Sequence, residues 1–267
     1  MGEDKASEDR GLEVRTYFVR KRNALLARAN FEKLYVDYYL HLADNSLRYE
    51  AKHDQIFKEA LAAMCLHSAS RPQIEVSAWT LNFQDPLINI FVTGDNQQNL
   101  VIGQIFTKDV KPGKENLFYS EVVRGDNAVQ RSVTAFEGQL PFRAAEHFYY
   151  QSEQRHARFF EYDDEDFVLI SAQPDCDTEW LMGLDKEAIR VLDQNEELSL
   201  LEKRYFRWFC GCNQDNMMKL LVPTMKANPE SLFEGEETIH IHCPRCGAKF
   251  TISREMLEAF MAEKDSD

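Results

Sequence analysis

Apolar residues recur at helical spacing in two stretches of the first seventy residues. The first stretch predicts a helix over 20–43 and the second a helix over 53–68. The residues that set the first pattern are Leu26, Phe31, Leu34, Tyr38 and Leu42. Those that set the second are Ile56, Ala60, Met64 and Cys65.

After these helices the pattern changes to short β-like segments separated by turn sequences. The segments are IEVSAWTL, LINIFVTG, LVIGQIF, LFYSEVV and AVQRSVTAF, and the turns contain QDP, GDN, KPGKEN and RGDN. A further helix is predicted in PFRAAEHFYYQSEQ, with Pro141 in its first turn, followed by the strands ARFFEY and DFVLISA. Helices grouped between runs of antiparallel strands predict an α+β fold rather than a βαβ wind.

The segment DKEAIRVLDQNEELSLLEKRY, from Asp185 to Tyr205, is charged, lacks Gly and Pro, and has amphipathic spacing. It predicts a helical connector between two domains. We therefore expect an α+β core over 1–180, with a disordered tail over 1–14. A charged helical connector over 181–205 and a small four-cysteine domain over 206–267 complete the prediction.

Charge and hydropathy exclude some classes of partner. The formal net charge is -14, and from Glu161 to Glu202 there are 14 acidic residues against Lys186 and Arg190. A nucleic-acid surface needs clustered Lys and Arg, so no nucleic-acid partner is expected. No apolar run reaches the roughly 20 residues of a membrane span, and the acidic N-terminus lacks the apolar part of a secretory signal. The expected location is the reducing cytoplasm.

Four of the six cysteines form two close pairs near the C-terminus, Cys210-x-Cys212 and Cys243-x-x-Cys246. Four soft sulfur ligands at tetrahedral corners are typical of structural zinc. The first pair can converge only if Gly211 lets the backbone turn sharply, and Gly247 can take the positive φ of a zinc knuckle. The sequence therefore predicts a four-cysteine zinc site. The nearby residues His240 and His242 alternate with isoleucines as the exposed side of a strand, and we treat them as reserve ligands only.

Other interpretations of the cysteines are weaker. A disulfide framework does not suit the expected compartment, and a thioredoxin-like Cys-x-x-Cys should follow a strand and open a helix. Here strand-like sequence flanks the motif on both sides, which indicates a hairpin. Cys65 is expected to be a buried filler, and Cys176 to be a weakly reactive thiol among acidic residues. The chain has no G-x-S-x-G, H-E-x-x-H or P-loop motif, so it is not expected to be an enzyme or to use ATP.

The spacing of Cys-x-Cys and Cys-x-x-Cys near the C-terminus resembles the heat shock protein 33 family of redox-regulated, ATP-independent bacterial chaperones. HCPRCGAKFTISREMLEAF is similar to the family's zinc-domain ending, with Phe250, Ile252 and Leu257 at its apolar positions. AAEHFYYQSEQ is similar to its helix ending in Ser-Glu-Gln (Ser152, Glu153, Gln154), and FVTGDNQQNL to its Gly-Asp turn (Gly94, Asp95). The chain departs from the family in this turn, in YDDEDFVLI where a double glycine is expected, and in its shorter connector.

The resemblance implies a holdase that binds unfolded client proteins and prevents their aggregation under oxidative stress. Cys210, Cys212, Cys243 and Cys246 would be both the zinc ligands and the redox switch, since their oxidation to disulfides expels zinc and its folding energy. The family pairing is Cys210 with Cys212 and Cys243 with Cys246, and a homodimer is an expected oxidised form. Two alternatives stay open: a constitutive zinc chaperone or adaptor, and a thiol–disulfide oxidoreductase.

Overall fold

The computed structural model describes residues 11–264, which fall into two compact units. The first comprises the residues up to Leu40 together with Arg48–Phe209, and the second comprises His41–Leu47 together with the residues from Cys210 onward. Of the predicted disordered tail, residues 1–10 lie outside the described part of the chain, whereas 12–14 belong to a strand. Among residues 11–264 no helix combines the length and the apolar sequence needed to cross a bilayer.

Two five-stranded antiparallel sheets form the first unit. The strands of one are β1 (Leu12–Val19), β2 (Ala24–Asn30), β8 (Ala157–Glu161), β9 (Asp166–Ala172) and β10 (Leu198–Phe206), in the order β10-β1-β2-β9-β8. The strands of the other are β3 (Glu75–Gln84), β4 (Leu87–Asp95), β5 (Leu100–Phe106), β6 (Asn116–Arg124) and β7 (Gln130–Phe136), in the order β5-β4-β3-β6-β7. Buried and half-buried residues alternate strictly along β3, as a strand with one face in a core requires.

Three helices accompany these sheets: α1 (Glu32–Asp44), α2 (Ala51–Ala69) and α3 (Pro141–Gln151). Helix α2 packs against strands of both sheets and against α3, and from Glu59 to Ala69 every residue is buried. A helix that is buried on all sides is a core element rather than a surface helix. The predicted α+β fold class is confirmed, as is the predicted helix over 53–68.

The predicted helix over 20–43 is wrong in its first half. A 3-10 turn at Arg20–Arg22 leads to Asn23, which has a left-handed backbone with φ +48°, and β2 then pairs with both β1 and β9. Helix α1 begins only where the Asn30 side chain accepts the Glu32 N–H at 3.1 Å. The spacing of the apolar residues suits both structures here, and pairing with distant strands decides between them.

The single helix predicted over 185–205 is also not formed. Helix α4 (Thr178–Gly183) precedes this segment, which holds α5 (Lys186–Arg190), α6 (Leu192–Asn195) and then strand β10, which pairs with β1. Asp177 and Asp185 cap α4 and α5, accepting the N–H groups of Trp180 and Ala188. The connector is therefore helical only as far as Asn195.

The second unit contains α7 (Gln214–Ala227), α8 (Pro229–Phe233), β11 (Thr238–His242), β12 (Lys249–Ser253) and α9 (Arg254–Lys264). Strands β11 and β12 form the hairpin predicted around Cys243 and Cys246. Among the described residues of this unit, the largest buried apolar cluster has six members: Met217, Met218, Met225, Phe233, Ile252 and Leu257.

The Gly-Asp turn and the Ser-Glu-Gln tripeptide both contact the end of α2. A Cβ atom on Gly94 would lie 1.9 Å from the Ser68 Oγ atom, so only glycine allows β4 to approach the helix this closely. Glu153 pairs with Arg71 just beyond the helix, at 3.0 Å. These motifs therefore have structural roles in the core.

Glu59 is a buried carboxyl group, 7% exposed, that faces the start of α3. Its Oε1 atom accepts the Phe142 N–H at 2.7 Å, which satisfies one of the unpaired amides of the helix N-terminus. Burial raises the pKa of Glu59 to about 7, and the carboxylates of Glu161 and Glu146 act in the same direction.

We predict that Glu59 makes the first unit less stable as pH rises. A carboxyl group whose pKa is raised from 4.5 to about 7 binds its proton more tightly in the folded chain, so the free energy of unfolding falls across that pH window. The full effect is about 3 kcal/mol. Glu59→Gln keeps the hydrogen-bond acceptor but cannot ionise, so it should reduce the fall in the free energy of unfolding as pH rises.

The measurement is urea unfolding at pH 5, 6 and 7 followed by tryptophan fluorescence, because all three tryptophans (Trp79, Trp180 and Trp208) lie in the first unit. The exposed residue Glu115 provides a matched control, Glu115→Gln, which should keep the wild-type slope. Equal slopes for Glu59→Gln and the wild type would contradict the prediction.

Candidate metal centre

Cys210 and Cys212 lie on the loop between β10 and α7. Gly211 between them has φ +69°, a left-handed conformation that lets the backbone turn so that both side chains converge. Asn213 then caps α7, its side chain accepting the Asn216 N–H at 2.8 Å. The first cysteine pair is thus held by a turn with a helix directly behind it.

Cys243 and Cys246 lie on the turn of the β11–β12 hairpin. The Cys243 N–H donates to the Ala248 carbonyl at 2.8 Å, and the Gly247 N–H donates to the Cys243 carbonyl at 2.9 Å. Gly247 has φ +76°, as expected for a knuckle. These bonds direct both thiols to the same side of the turn, where each cysteine is 2% exposed.

The two pairs meet, and the four Sγ atoms all lie within 4.8 Å of one another. The sulfur of Cys210 is 3.6 Å from that of Cys243, and the sulfur of Cys212 is 3.5 Å from that of Cys246. Zinc–sulfur bonds of about 2.3 Å in a tetrahedron place sulfurs about 3.8 Å apart, so the cluster fits such an ion. The four predicted cysteines are therefore brought together and can hold a metal ion.

The thiols also perturb one another. Hydrogen bonds from Cys210, and then from Cys212 and Cys246, lower the pKa of Cys243 far below its usual range. Hydrogen bonds with Cys210, and then with Cys212 and Cys243, raise the pKa of Cys246. Ionisation of one thiol is therefore favoured by hydrogen bonds from the others, and its negative charge opposes their ionisation. A cation is required before all four can be thiolates.

The remaining sequence candidates lie outside the cluster. Among the described residues, the one group of side chains able to hold a metal consists of the four cysteines, and neither His240 nor His242 belongs to it. His240 instead contacts the Thr251 hydroxyl at 3.0 Å. Cys65 is fully buried in α2, and burial raises its pKa. Burial and then Asp177 raise the pKa of Cys176.

The structure adds two residues that the sequence did not indicate, His41 and Asn45 at the end of α1. The His41 Nε2 atom lies 2.8 Å from the carbonyl oxygen of Cys246, and the Asn45 Oδ1 atom accepts the Lys249 N–H at 3.2 Å. About 200 residues separate them from the cysteines along the chain. Local spacing carries no signal of such a contact.

The segment that holds this cluster matches known proteins. The family model described as Hsp33 protein matches residues 162–253, about a third of the chain, which include all four cysteines. The 33 kDa chaperonin of Caldanaerobacter subterraneus subsp. tengcongensis is 30% identical over 81 residues, or 30% of this chain. That alignment spans 28% of the curated relative. The resemblance to the heat shock protein 33 family is confirmed.

A solved structure extends the likeness in fold beyond the Hsp33-matching segment. The crystal structure of the 33 kDa chaperonin (heat shock protein 33 homolog) from Thermotoga maritima superimposes with a TM-score of 0.70. It covers 96% of this chain and 99% of its own, at 12% sequence identity. At that identity the likeness shows that the Hsp33 fold extends over nearly the whole chain, and only the fold.

We predict that Cys246→Ser weakens metal binding by more than about 100-fold. Loss of a residue that only supports a ligand weakens a metal site by about 10- to 100-fold, and loss of a ligand itself should have a larger effect. The measurement is a cobalt titration of the reduced protein, followed by the sulfur-to-cobalt charge-transfer absorption. Cys176→Ser removes a thiol outside the cluster and should bind like the wild type. Equal affinities for Cys246→Ser and the wild type would show that the cluster is not the site.

Proposed function

We propose that this protein is a redox-regulated, ATP-independent holdase that binds unfolded proteins and prevents their aggregation under oxidative stress. The supporting observation is the convergence of four thiols from two distant turns into one cluster. The Hsp33 family match contains both this cluster and the connector helices. On this proposal the protein works without catalysis, in the cytoplasm, on unfolded client proteins, and its oxidised form dimerises.

Zinc is the proposed occupant of the cluster, with Cys210, Cys212, Cys243 and Cys246 as its ligands. Four sulfur donors at tetrahedral spacing suit zinc best among the common metals of proteins. When bound, zinc would hold all four sulfurs as thiolates and contribute about 10–16 kcal/mol to the folding of a small domain. The second unit would need that contribution, because the largest buried apolar cluster in its described part has only six residues.

The same cysteines are the proposed redox sensors. Two thiolates, one hydrogen peroxide molecule and two protons give one disulfide and two water molecules, so two equivalents of peroxide oxidise the four ligands. A disulfide sulfur is no longer an anionic donor, and the folding energy tied to metal binding is then lost.

Clients are proposed to bind the sheet face beneath the connector helices. The segment from α4 to α6 places four aliphatic side chains on the apolar face of the sheet formed by β10, β1, β2, β9 and β8. They are Leu181, Leu184, Ile189 and Leu192. Beneath them lie apolar residues of the strands, among them Leu26, Phe160, Val168 and Ile170. Release of these short helices would expose this face to unfolded chains.

One observation favours a second function, a constitutive zinc chaperone. Strand β10 follows α6 and precedes Cys210, and it pairs with β1 from Leu198↔Val19 to Phe206↔Leu12. A paired strand therefore separates the connector helices from the cysteines along the chain. If β10 stays in the sheet during oxidation, the cover over the apolar face stays in place.

We predict that peroxide produces the adjacent disulfides, Cys210 with Cys212 and Cys243 with Cys246. Adjacent pairing separates the two turns, whereas the cross pairs Cys210–Cys243 and Cys212–Cys246, with sulfurs 3.6 and 3.5 Å apart, would keep them joined. Trypsin cleaves after Arg207, Lys219 and Arg245, so non-reducing peptide mapping distinguishes the two. Adjacent pairing leaves 208–219 as a single peptide with an internal disulfide, and a 208–219 peptide linked to the hairpin would contradict the switch.

We predict that Leu192→Ala makes the reduced protein a holdase without oxidant. Leu192 is 3% exposed, and its truncation should weaken the packing of the connector on the sheet by about 2–5 kcal/mol. The measurement is light scattering from a thermally unfolding client protein, with every cysteine kept reduced.

Leu201→Ala on β10 is the matched control, because Leu201 is 56% exposed and its loss should leave the reduced protein inactive. If oxidised wild type suppresses aggregation and reduced Leu192→Ala does not, clients bind a different surface. Suppression by the reduced wild type would instead establish the constitutive chaperone.

A further inference from the structure

The segment His41–Leu47, at the end of α1, belongs to the same compact unit as the cysteine cluster. The helix stops in a tight C-terminal turn, where the Leu47 N–H donates to the Leu42 carbonyl at 2.9 Å. The Ser46 N–H donates to the Ala43 carbonyl at 3.2 Å, and Ser46 has a left-handed backbone with φ +50°. This conformation ends the helix and turns the Ser46 carbonyl away from the helix axis.

His41 contacts the backbone of a cysteine in the cluster. Its Nε2 atom lies 2.8 Å from the Cys246 carbonyl oxygen, which can only accept a hydrogen bond, so Nε2 carries the proton. The Nδ1 atom is then an acceptor, and the Asn45 Nδ2 atom lies 3.4 Å from it. The Asn45 Nδ2 group also donates to the His41 carbonyl at 2.9 Å, which fixes the amide orientation.

Asn45 and Ser46 contact the other end of the β11–β12 hairpin turn, at Lys249. With its NH₂ group facing His41, Asn45 presents Oδ1 to the Lys249 N–H at 3.2 Å. The Lys249 Nζ atom donates to the Ser46 carbonyl, also at 3.2 Å. The hairpin turn from Cys246 to Lys249 is therefore held at both ends by one short segment, while its internal bonds involve Cys243, Gly247 and Ala248.

We propose that His41 and Asn45 are positioning residues for the metal centre, and that residues 41–47 form a clip that slows metal loss. This inference rests on the proposed zinc site. A metal knuckle releases its ion when one ligand swings away, and a hydrogen bond on the Cys246 carbonyl resists that motion at the backbone. The partners that orient a ligand contribute to metal affinity even though they do not touch the ion.

Coupling of this kind is reciprocal. If the clip raises metal affinity, then bound metal stabilises the clip by the same factor. Loss of the metal should therefore loosen residues 41–47, which lie at the end of a helix that begins in the first unit at Glu32. The end of α1 would thereby report the state of the cysteine cluster.

The first experiment measures zinc release from the reduced, full-length protein to a chromogenic chelator, without oxidant. His41→Ala should release zinc about fivefold faster than the wild type, the effect of one lost hydrogen bond of ordinary strength. Asn45→Ala should be faster too, and His41→Gln, which restores a donor near the Nε2 position, should recover a slower rate. His147→Ala removes an exposed histidine of α3 and serves as the matched control, with the wild-type rate.

The second experiment measures hydrogen exchange of the wild type alone, so no variant has to fold. Stripping zinc should speed exchange of the amides in residues 45–47, including that of Leu47, while the buried interior of α2 stays protected.

The outcomes separate the clip from the zinc site. Wild-type protein that binds no zinc after reconstitution would overturn the proposed metal centre and the clip together. Stoichiometric zinc with equal release rates in wild type and His41→Ala, or with unchanged exchange at residues 45–47, would overturn the clip alone. Faster release in His41→Ala, slowed again in His41→Gln, together with zinc-dependent exchange would support it.

Discussion

Four thiols within 4.8 Å of one another are the constraint on which the C-terminal unit depends. Two thiolates about 4 Å apart near a protein surface repel by about 4 kcal/mol, so the cluster cannot ionise fully unless a cation neutralises it. Gly211 and Gly247 provide the backbone turns that create this crowding. Because the unit buries few apolar residues, its folding and the chemical state of its sulfurs form a single equilibrium on the proposed account.

The core follows a different physical principle. Helix α2 buries every residue from Glu59 to Ala69 and packs against two antiparallel sheets, so apolar packing stabilises this part of the molecule. The connector lies on one face of a sheet and is held there by aliphatic side chains and by the ion pairs of Arg22 with Asp177 and Glu196. On the proposed function, a stable core beneath a removable cover suits a holdase, because the binding face must survive the loss of its cover.

Local patterns predicted the features that depend on nearby residues. The alternation in β3 and the pairing of glycines with cysteines were enough to predict a strand and a metal-binding cluster. Strands β2 and β10 were predicted as helix, because spacing such as that around Leu26 suits either structure and the deciding hydrogen bonds come from β1 and β9. His41 could not be predicted, since its partner Cys246 lies 205 residues away.

The proposed mechanism makes metal release and client binding one event. Its most direct test treats the reduced, zinc-loaded protein with peroxide at raised temperature while zinc release and light scattering from an unfolding client are recorded together. One zinc ion is expected to be released per chain, with aggregation suppressed on the same time course. Full suppression while zinc is still bound, or zinc release that leaves aggregation unchanged, would contradict it.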